Sequence, residues 1–280
     1  MKIDNSRYSA FWANPELYRL TYEKNIVPII VPYYFGRGIL MHELNEKRNK
    51  AAMSVKNLKA EPQRLSDKSK QMGTALFAAF KQRWDGDKSI QLMHDDGRPL
   101  AEVAFDLPIP GSPHHIVGKF DEIVQYKDAA WVGDTKTANA KTTEGKKKVE
   151  FGYASQPLFY INAARMLGYP VKGMLYRVVT EHVPPKHWVI ESKRTDYQLA
   201  QHLVSVHQTA ETILMYRRAF GVDKPWPHLW SYPCNYPDWQ GNPTCEYAGI
   251  CGRPTSELSE EDLASFTQRI DHLGLEEENV

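Results

Sequence analysis

The sequence predicts one α/β domain built on a mixed central β-sheet flanked by helices. Three observations carry this expectation. Helical patterns fill the first part of the chain, strand patterns begin at Ser89, and helix, strand, strand and helix then follow in turn. The segments AEVAFDLPI, HHIVGKFDEIVQY and AAWVGDTKT are rich in β-branched and aromatic residues and are separated by Gly, Pro and Asp turns. With 280 residues, 42% hydrophobic and 25% charged, the chain has an ordinary globular composition and is long enough to bury a sizeable core.

Residues 6–23, SRYSAFWANPELYRLTYE, read as two helices broken near Asn14-Pro15, because proline suits the first turn of a new helix. GRGILMHELNEKRNKAAM reads as a helix preceded by Gly36 and Gly38, with Leu40, Met41 and Leu44 at helical spacing. Another helix is expected from Lys68 to Trp84. The second and third strand segments meet at a hairpin tip within Lys127–Ala130. KTTEGKKK (Lys141–Lys148) places four lysines in eight residues and reads as a loop, either solvated or a grip for an anionic backbone. A helix over Tyr153–Leu167, strands KGMLYRVVT and KHWVIESKR, and a long helix from Asp196 to Phe220 complete the pattern. The acidic end, SELSEEDLASFTQRIDHLGLEEENV, predicts a short helix capped by Ser256 or Ser259 that then frays.

A net charge of +1 gives no global attraction to nucleic acid, so any such binding must come from local patches. The longest apolar run, around Ile26–Val31, is too short to span a bilayer, and MKIDNSRYSAF lacks the apolar core of a secretory signal. No membrane association and a cytoplasmic location are therefore expected, which disfavours structural disulfides. Cys234, Cys245 and Cys251 are an odd number within eighteen residues, which suggests metal ligation more than pairing. The chain carries no G-x-x-x-x-G-K-[ST] phosphate loop, so no ATP motor is expected.

The stretch GKFDEIVQYKDAAWVGDTKTA holds the chemistry. In a strand, residues i and i+2 share a face, so Asp134 and Lys136 stand side by side with Thr135 turned away. If the hairpin closes, Asp121 on the neighbouring strand reaches the same end of the sheet. Two carboxylates with a backbone carbonyl and waters suit a hard divalent cation. A lysine beside them can orient a water and neutralise charge developing on a phosphate. Two readings stand at this point: turn-flanking aspartates with a surface lysine, or a single site for phosphodiester hydrolysis.

Taken in order, GRGILMHELNE, AEVAFDLPI, GKFDEI, VGDTKTA and SQPLFYINAARML resemble the motif series of the RecB-like exonuclease branch of the PD-(D/E)XK nuclease superfamily. The resemblance spans roughly residues 6–251. It implies a restriction-endonuclease-like core in a single nuclease domain over residues 1–255. Within it lie a helical part (1–88), a sheet core (89–195) and a helix with the cysteine segment (196–255), and an acidic tail (256–280) follows. It also implies Asp121 and Asp134 as metal-binding carboxylates, Lys136 as the catalytic lysine, His42 as a metal ligand from the facing helix and the Thr135 carbonyl as a further ligand. Glu102 would support the metal or bind a second one. Gln156 and Tyr160, i and i+4 on one helical face, would contact the DNA backbone or order Lys136. Pro157 places Gln156 near its helix N-terminus, a natural seat for a phosphate. Glu43 and Glu46 read as a solvated helix face.

The chain is also similar to iron–sulfur-containing CRISPR-adaptation and helicase-associated nucleases, in which one cysteine precedes the nuclease core and three follow it. Cys234, Cys245 and Cys251 resemble the latter three, but Asn14-Pro15 stands where the family commonly shows Cys-Pro. A [4Fe–4S] cluster normally takes four thiolates. Three outcomes stay open: a cluster with a non-cysteine fourth ligand, a zinc site completed by a histidine such as His228, or no metal. Trp226, Trp230, Tyr232, Tyr236 and Trp239 would pack around this segment or stack single-stranded bases.

The expected function is a Mg²⁺- or Mn²⁺-dependent deoxyribonuclease acting in DNA recombination, repair or phage DNA metabolism. Its expected partners are DNA, single- or double-stranded, and a separate helicase, recombinase or single-strand-binding protein. Two alternatives are a catalytically inactive nucleic-acid-binding protein that keeps the fold, and a zinc-binding interaction module centred on the cysteines.

Overall fold

A computed structural model describes residues 1–29, 31, 33–52, 65–227, 245 and 247–269. The elements are β1 (Lys2–Ile3), α1 (Asn5–Ala13), α2 (Pro15–Tyr18) running into a π-turn at Arg19–Glu23, and β2 (Ile26–Pro28). Next come α3 (Tyr33–Ala52), α4 (Asp67–Trp84), β3 (Ile90–Leu92), β4 (His94–Asp95), β5 (Arg98–Pro99), β6 (Ala101–Pro108), β7 (His115–Tyr126) and β8 (Ala129–Ala138). The chain continues with α5 (Glu144–Tyr153), α6 (Gln156–Met166), β9 (Met174–Thr180), β10 (His187–Ser192) and α7 (Asp196–Phe220), and returns at β11 (Phe266–Gln268).

The central sheet is mixed, as its sequence pattern predicts. It runs β1-β7-β8-β9-β10, with β3 and β6 also on β7; β8 lies parallel to β9 and antiparallel to β7. Helices α6 and α7 supply Phe159, Ile161, Val206, Ala210 and Ile213 to the main core, where they join Ile116, Phe120, Val132 and Tyr176 from the strands. Helices α3 and α4 form a second core with Met41, Leu76, Phe80 and Trp84 around Val179 of β9. The long helix α7 starts on a capping box, in which the Thr195 side chain accepts from the Gln198 amide while the Gln198 side chain accepts from the Thr195 amide.

Four local expectations change. Gly36 and Gly38 lie inside α3 rather than before it. A Cβ on Gly36 would sit 2.9 Å from Ser69 Oγ, and one on Gly73 of α4 would sit 3.0 Å from Leu40, so these glycines let the two helices approach closely. Most of KTTEGKKK is helix α5, not loop, because Thr143 caps it and Glu144–Lys148 and Lys147–Glu150 pair one turn apart. The helix expected over Tyr153–Leu167 is α6, which starts three residues later at Gln156, after a break at Ala154–Ser155 that ends α5. The acidic end does form a short helix, Glu260–Leu263, capped by Ser259, but it does not simply fray: β11 then pairs antiparallel with β2.

A buried pair ties this last part of the chain to the first. Arg19 and Glu16 are both fully buried and joined by two hydrogen bonds of 2.7 and 2.6 Å. Glu16 accepts the backbone N–H of Trp226 and Gly252, while Arg19 donates to the carbonyls of Val222 and Arg253. These bonds satisfy two charges that would otherwise be costly to bury.

Candidate functional site

The β7–β8 ladder ends at the pair Glu122↔Gly133, so Asp121 and Asp134 are the next residues on each strand. Beyond this point β8 stays paired to β9 (Asp134↔Tyr176, Lys136↔Val178), while β7 stays paired to β6. The sheet therefore forks where the two carboxylates stand.

Strand alternation also breaks on β7 at the fork. Phe120 joins the main core against Tyr160 of α6, whereas Glu122 reaches Arg177, which lies over Phe80 of α4. In a regular strand residues 120 and 122 would share one face. The opposing strand shows the cause: Glu102 has φ 54°, a left-handed conformation that is strained for a residue with a Cβ. The irregularity frees Asp121 to meet a side chain arriving from α3.

That side chain is His42, whose Nδ1 lies 3.2 Å from Asp121 Oδ2. Gly38, one helical turn earlier, stands 3.7 Å (as a Cβ) from Thr137 Oγ1, so α3 lies close against β8 just before His42. Donor atoms of His42, Asp121 and Asp134 all lie within 4.8 Å of one another. Asp134 is almost fully buried, and Lys136 Nζ lies 3.0 Å from its Oδ1 and 2.8 Å from its Oδ2. Gln156, in the first turn of α6, donates to Asp134 Oδ1 at 3.3 Å. Tyr160 packs edge-on against Phe105 and Phe120 beneath the carboxylates.

The electrostatics are asymmetric. Burial opposes the charge on Asp121, but His42, with Lys136 and Lys119, outweighs it and holds this carboxyl below the usual range. Burial opposes the charge of His42 as well, yet Asp121 raises its pKa. At Asp134 burial wins: even with Lys136 beside it, desolvation and the nearby Asp121 push its carboxyl upward. Burial, followed by both aspartates, raises the phenol of Tyr160 far above its ordinary value and keeps it a neutral donor. The two carboxylates are thus set apart, Asp121 the more readily ionised and Asp134 the less.

A family comparison identifies the class of the chain. The family model of the PD-(D/E)XK nuclease superfamily matches residues 5–252. The chain belongs to that superfamily. Its members are hydrolases of nucleic acid. A search of curated proteins gives no match. Among solved structures, the nuclease is similar to "Putative exonuclease" from Eubacterium rectale, at 16% identity and a TM-score of 0.48, covering 76% of this chain and 80% of the other. It is also similar to SSO0001, at 14% identity and a TM-score of 0.35, covering 86% and 94%.

Of the sequence-derived candidates, the structure brings together His42, Asp121, Asp134, Lys136, Gln156 and Tyr160. Thr135 lies between Asp134 and Lys136 with its hydroxyl fully buried and unpartnered. Glu102 stands apart: its carboxylate is 2.7 Å from Lys119 Nζ, which also reaches Glu46 at 3.2 Å. Glu46 is therefore not merely solvated, since it shares this bridge between α3 and the sheet. Sequence reasoning missed Lys119, the buried Glu122–Arg177 pair and Tyr176. Tyr176 faces Asp134 across the parallel ladder, and its buried hydroxyl has no hydrogen-bond partner.

The cysteine candidates divide. Cys245 and Cys251 are partly buried against a cluster of Leu20, Ile26, Tyr247 and Ile250. Cys234, His228, Trp230, Tyr232, Tyr236 and Trp239 lie outside the described residues. Trp226 is buried and stacks on Tyr18 at 6.0 Å, which is packing rather than an open platform. Asn14 caps α2, its Oδ1 accepting the Glu16 N–H at 3.0 Å. Among the described residues no helix is long and apolar enough to cross a membrane.

Proposed function

We propose that this nuclease is a divalent-metal-dependent deoxyribonuclease, and specifically an exonuclease, in which Asp121, Asp134, His42 and the Thr135 carbonyl hold Mg²⁺ or Mn²⁺. The observation that carries the reading is the convergence at the fork. Three donor groups lie within 4.8 Å of one another, one from a helix and two from separate strands, with a lysine on the innermost carboxylate. Carboxylate-rich donors with backbone oxygen suit a hard cation. When bound, such a cation would polarise the scissile phosphate and activate a water.

The chain's own residues supply the remainder. Hydrolysis forms a bond from a water oxygen to phosphorus as the opposite P–O bond breaks, and negative charge grows on the non-bridging oxygens. The Lys136 ammonium is placed to donate to that charge. Gln156 fixes the Asp134 carboxylate from the helix side, and His42 fixes Asp121. Tyr160 and the aromatic layer exclude water from beneath. Lys141 and Lys146 at the start of α5 are exposed and form no ion pair among the described residues, so they are available to a phosphate backbone. Lys147 and Lys148 are paired within the helix. The cellular setting we infer is DNA recombination, repair or phage DNA metabolism, in the cytoplasm and alongside a helicase, recombinase or single-strand-binding protein.

Purified protein incubated with linear and circular, single- and double-stranded DNA in Mg²⁺ or Mn²⁺ tests this. Linear substrates should shorten from their ends while closed circles survive, and Lys136→Ala should abolish the loss. Wild type and Lys136→Ala equally inert on every substrate would overturn the reading in favour of a binding protein that keeps the fold.

A further inference from the structure

A second group of side chains of metal-ligating type lies at the start of β7, away from the fork. His114, in the turn before β7, and His207 and Glu211 on α7 bring donor atoms within 4.8 Å of one another. His207 and Glu211 are i and i+4, so they project from one face of α7. His114 is 3% exposed, and its Nε2 lies 2.7 Å from Glu211 Oε1. The two imidazoles face each other with ring centroids 5.4 Å apart and planes inclined by 29°.

The outer nitrogen of each ring is already engaged. His207 Nδ1 lies 2.8 Å from Ser112 Oγ, and His114 Nδ1 lies 3.2 Å from the Met1 nitrogen. Ser112 is itself fixed, because its hydroxyl accepts the His114 N–H and its own N–H bonds Ile109 O across a turn in which Gly111 has φ 73°. A metal-ligating histidine is held in the way His207 is, with its far N–H free to donate to a fixed acceptor so that ring orientation and tautomer are set, while the Met1 ammonium holds the His114 ring from the other side. Both Nε2 atoms are thereby left to meet the exposed Glu211 carboxylate.

We propose that His114, His207 and Glu211 form a binding site for a transition-metal ion of the Zn²⁺ class, separate from the nuclease centre. Two imidazoles and one carboxylate suit Zn²⁺, whereas Mg²⁺ wants oxygen donors throughout. The exposed Glu211 gives an entry path, and water completes the coordination. On binding, the single ring proton of His114 moves from Nε2 to Nδ1, the Met1 ammonium releases one proton to solvent so that its nitrogen can accept that N–H, and Nε2 is left free for the metal. His115, the first residue of β7, is six residues from Asp121, which puts the two centres roughly 20 Å apart along the strand. The bound ion would staple two pieces of chain: the β6–β7 turn, through His114, and the middle of α7, through His207 and Glu211. This site does not depend on the nuclease reading.

The test is Co²⁺ titration of chelator-treated full-length protein, followed by its visible d–d absorption, with Zn²⁺ competition. Wild type should bind Co²⁺ at a nitrogen–oxygen site without a thiolate charge-transfer band, and Zn²⁺ should displace it. Binding should weaken at least about 100-fold in His207→Ala and fall clearly in Glu211→Gln, which is exposed and keeps a hydrogen-bond acceptor for His114. Asp134→Asn, which alters the proposed cation site of the nuclease centre, should keep the part of the signal that His207→Ala removes, read from Asp134→Asn with and without His207→Ala. Equal binding in wild type, His207→Ala and Glu211→Gln would overturn the proposal, as would loss of that His207-dependent part in Asp134→Asn or a signal carried only by thiolate. Circular dichroism of Glu211→Gln keeps the result interpretable if His207→Ala fails to fold.

Discussion

Replacing Gly133 with alanine probes the fork directly. A Cβ there would stand 2.7 Å from Glu122 Cγ and 2.8 Å from Glu122 Oε1. Ordinary carbon–carbon contacts are about 3.5–4.0 Å, so the new methyl intrudes by roughly 0.8 Å or more. Glu122 cannot swing aside, since it is 2% exposed, bonded to Arg177, and Arg177 lies 5.0 Å from the centre of the Phe80 ring. Two responses are available. If β7 and β8 spread, the cost is that of overpacking, about 1–3 kcal/mol. If the Glu122–Arg177 pair breaks, an uncompensated buried charge costs about 3–5 kcal/mol. Urea unfolding followed by tryptophan fluorescence should therefore show a clearly lower midpoint for Gly133→Ala. Gly145→Ala is the control: its Cβ meets nothing within 4 Å and it lies in helix α5, so it should be neutral or stabilising by up to about 1 kcal/mol. Gly133→Ala should also lose nuclease activity more steeply than stability, because Asp134 is the next residue. A midpoint at or above wild type would refute the claim that the fork is tightly packed.

Two further outcomes follow from the same physics. Because burial and Asp121 disfavour the charged form of Asp134, Asp134→Asn should raise the melting temperature in EDTA while abolishing nuclease activity, and it should lose any gain that wild type shows on adding Mg²⁺; melting curves with and without the ion check this. His202 is 4% exposed between Tyr8 and Phe159 with neither ring nitrogen hydrogen-bonded, and desolvation lowers its pKa to about 4. An unfolded histidine titrates near ~6.5, so below that pH the unfolded chain binds a proton that the folded one refuses. The stability contributed by a neutral His202 is thus complete above about pH 6.5 and is lost as pH falls towards 4, about 3 kcal/mol in all. The stability difference between wild type and His202→Leu, measured by urea unfolding from pH 7 to pH 4, should change by about that amount; a flat difference would exclude the mechanism.

How much of this was legible in the sequence depends on the range of the cause. The face shared by Asp134 and Lys136 follows from a strand period of two, and the limits of α7 follow from a capping box and regular apolar spacing, so both are visible locally. Gly36 and Gly38 were misplaced because their role is close approach to α4 and β8, which one segment cannot display. Helix α5 was hidden by its glycines and basic density, while the ion pairs that support it are one turn apart and easily passed over. The left-handed Glu102, the Glu122–Arg177 pair and the His114–His207–Glu211 group are products of tertiary structure, joining residues up to 97 apart. Strands β1 and β11 are two and three residues long, too short for any alternating pattern to register.

The pairing of β11 with β2 has a consequence for the order in which the molecule is made. Strand β2 ends five residues before α3, the helix that bears His42, and its partner strand is only reached at residues 266–268. The apolar cluster behind it likewise joins Leu20 and Ile26 to Tyr247, Ile250 and Phe266. During synthesis every residue of the proposed cutting centre, from His42 to Tyr160, has left the ribosome more than a hundred residues before that seam can close. The N-terminal footing of α3 is therefore finished last, so a chain interrupted before residue 266 would carry the full set of site residues on an unfinished foundation.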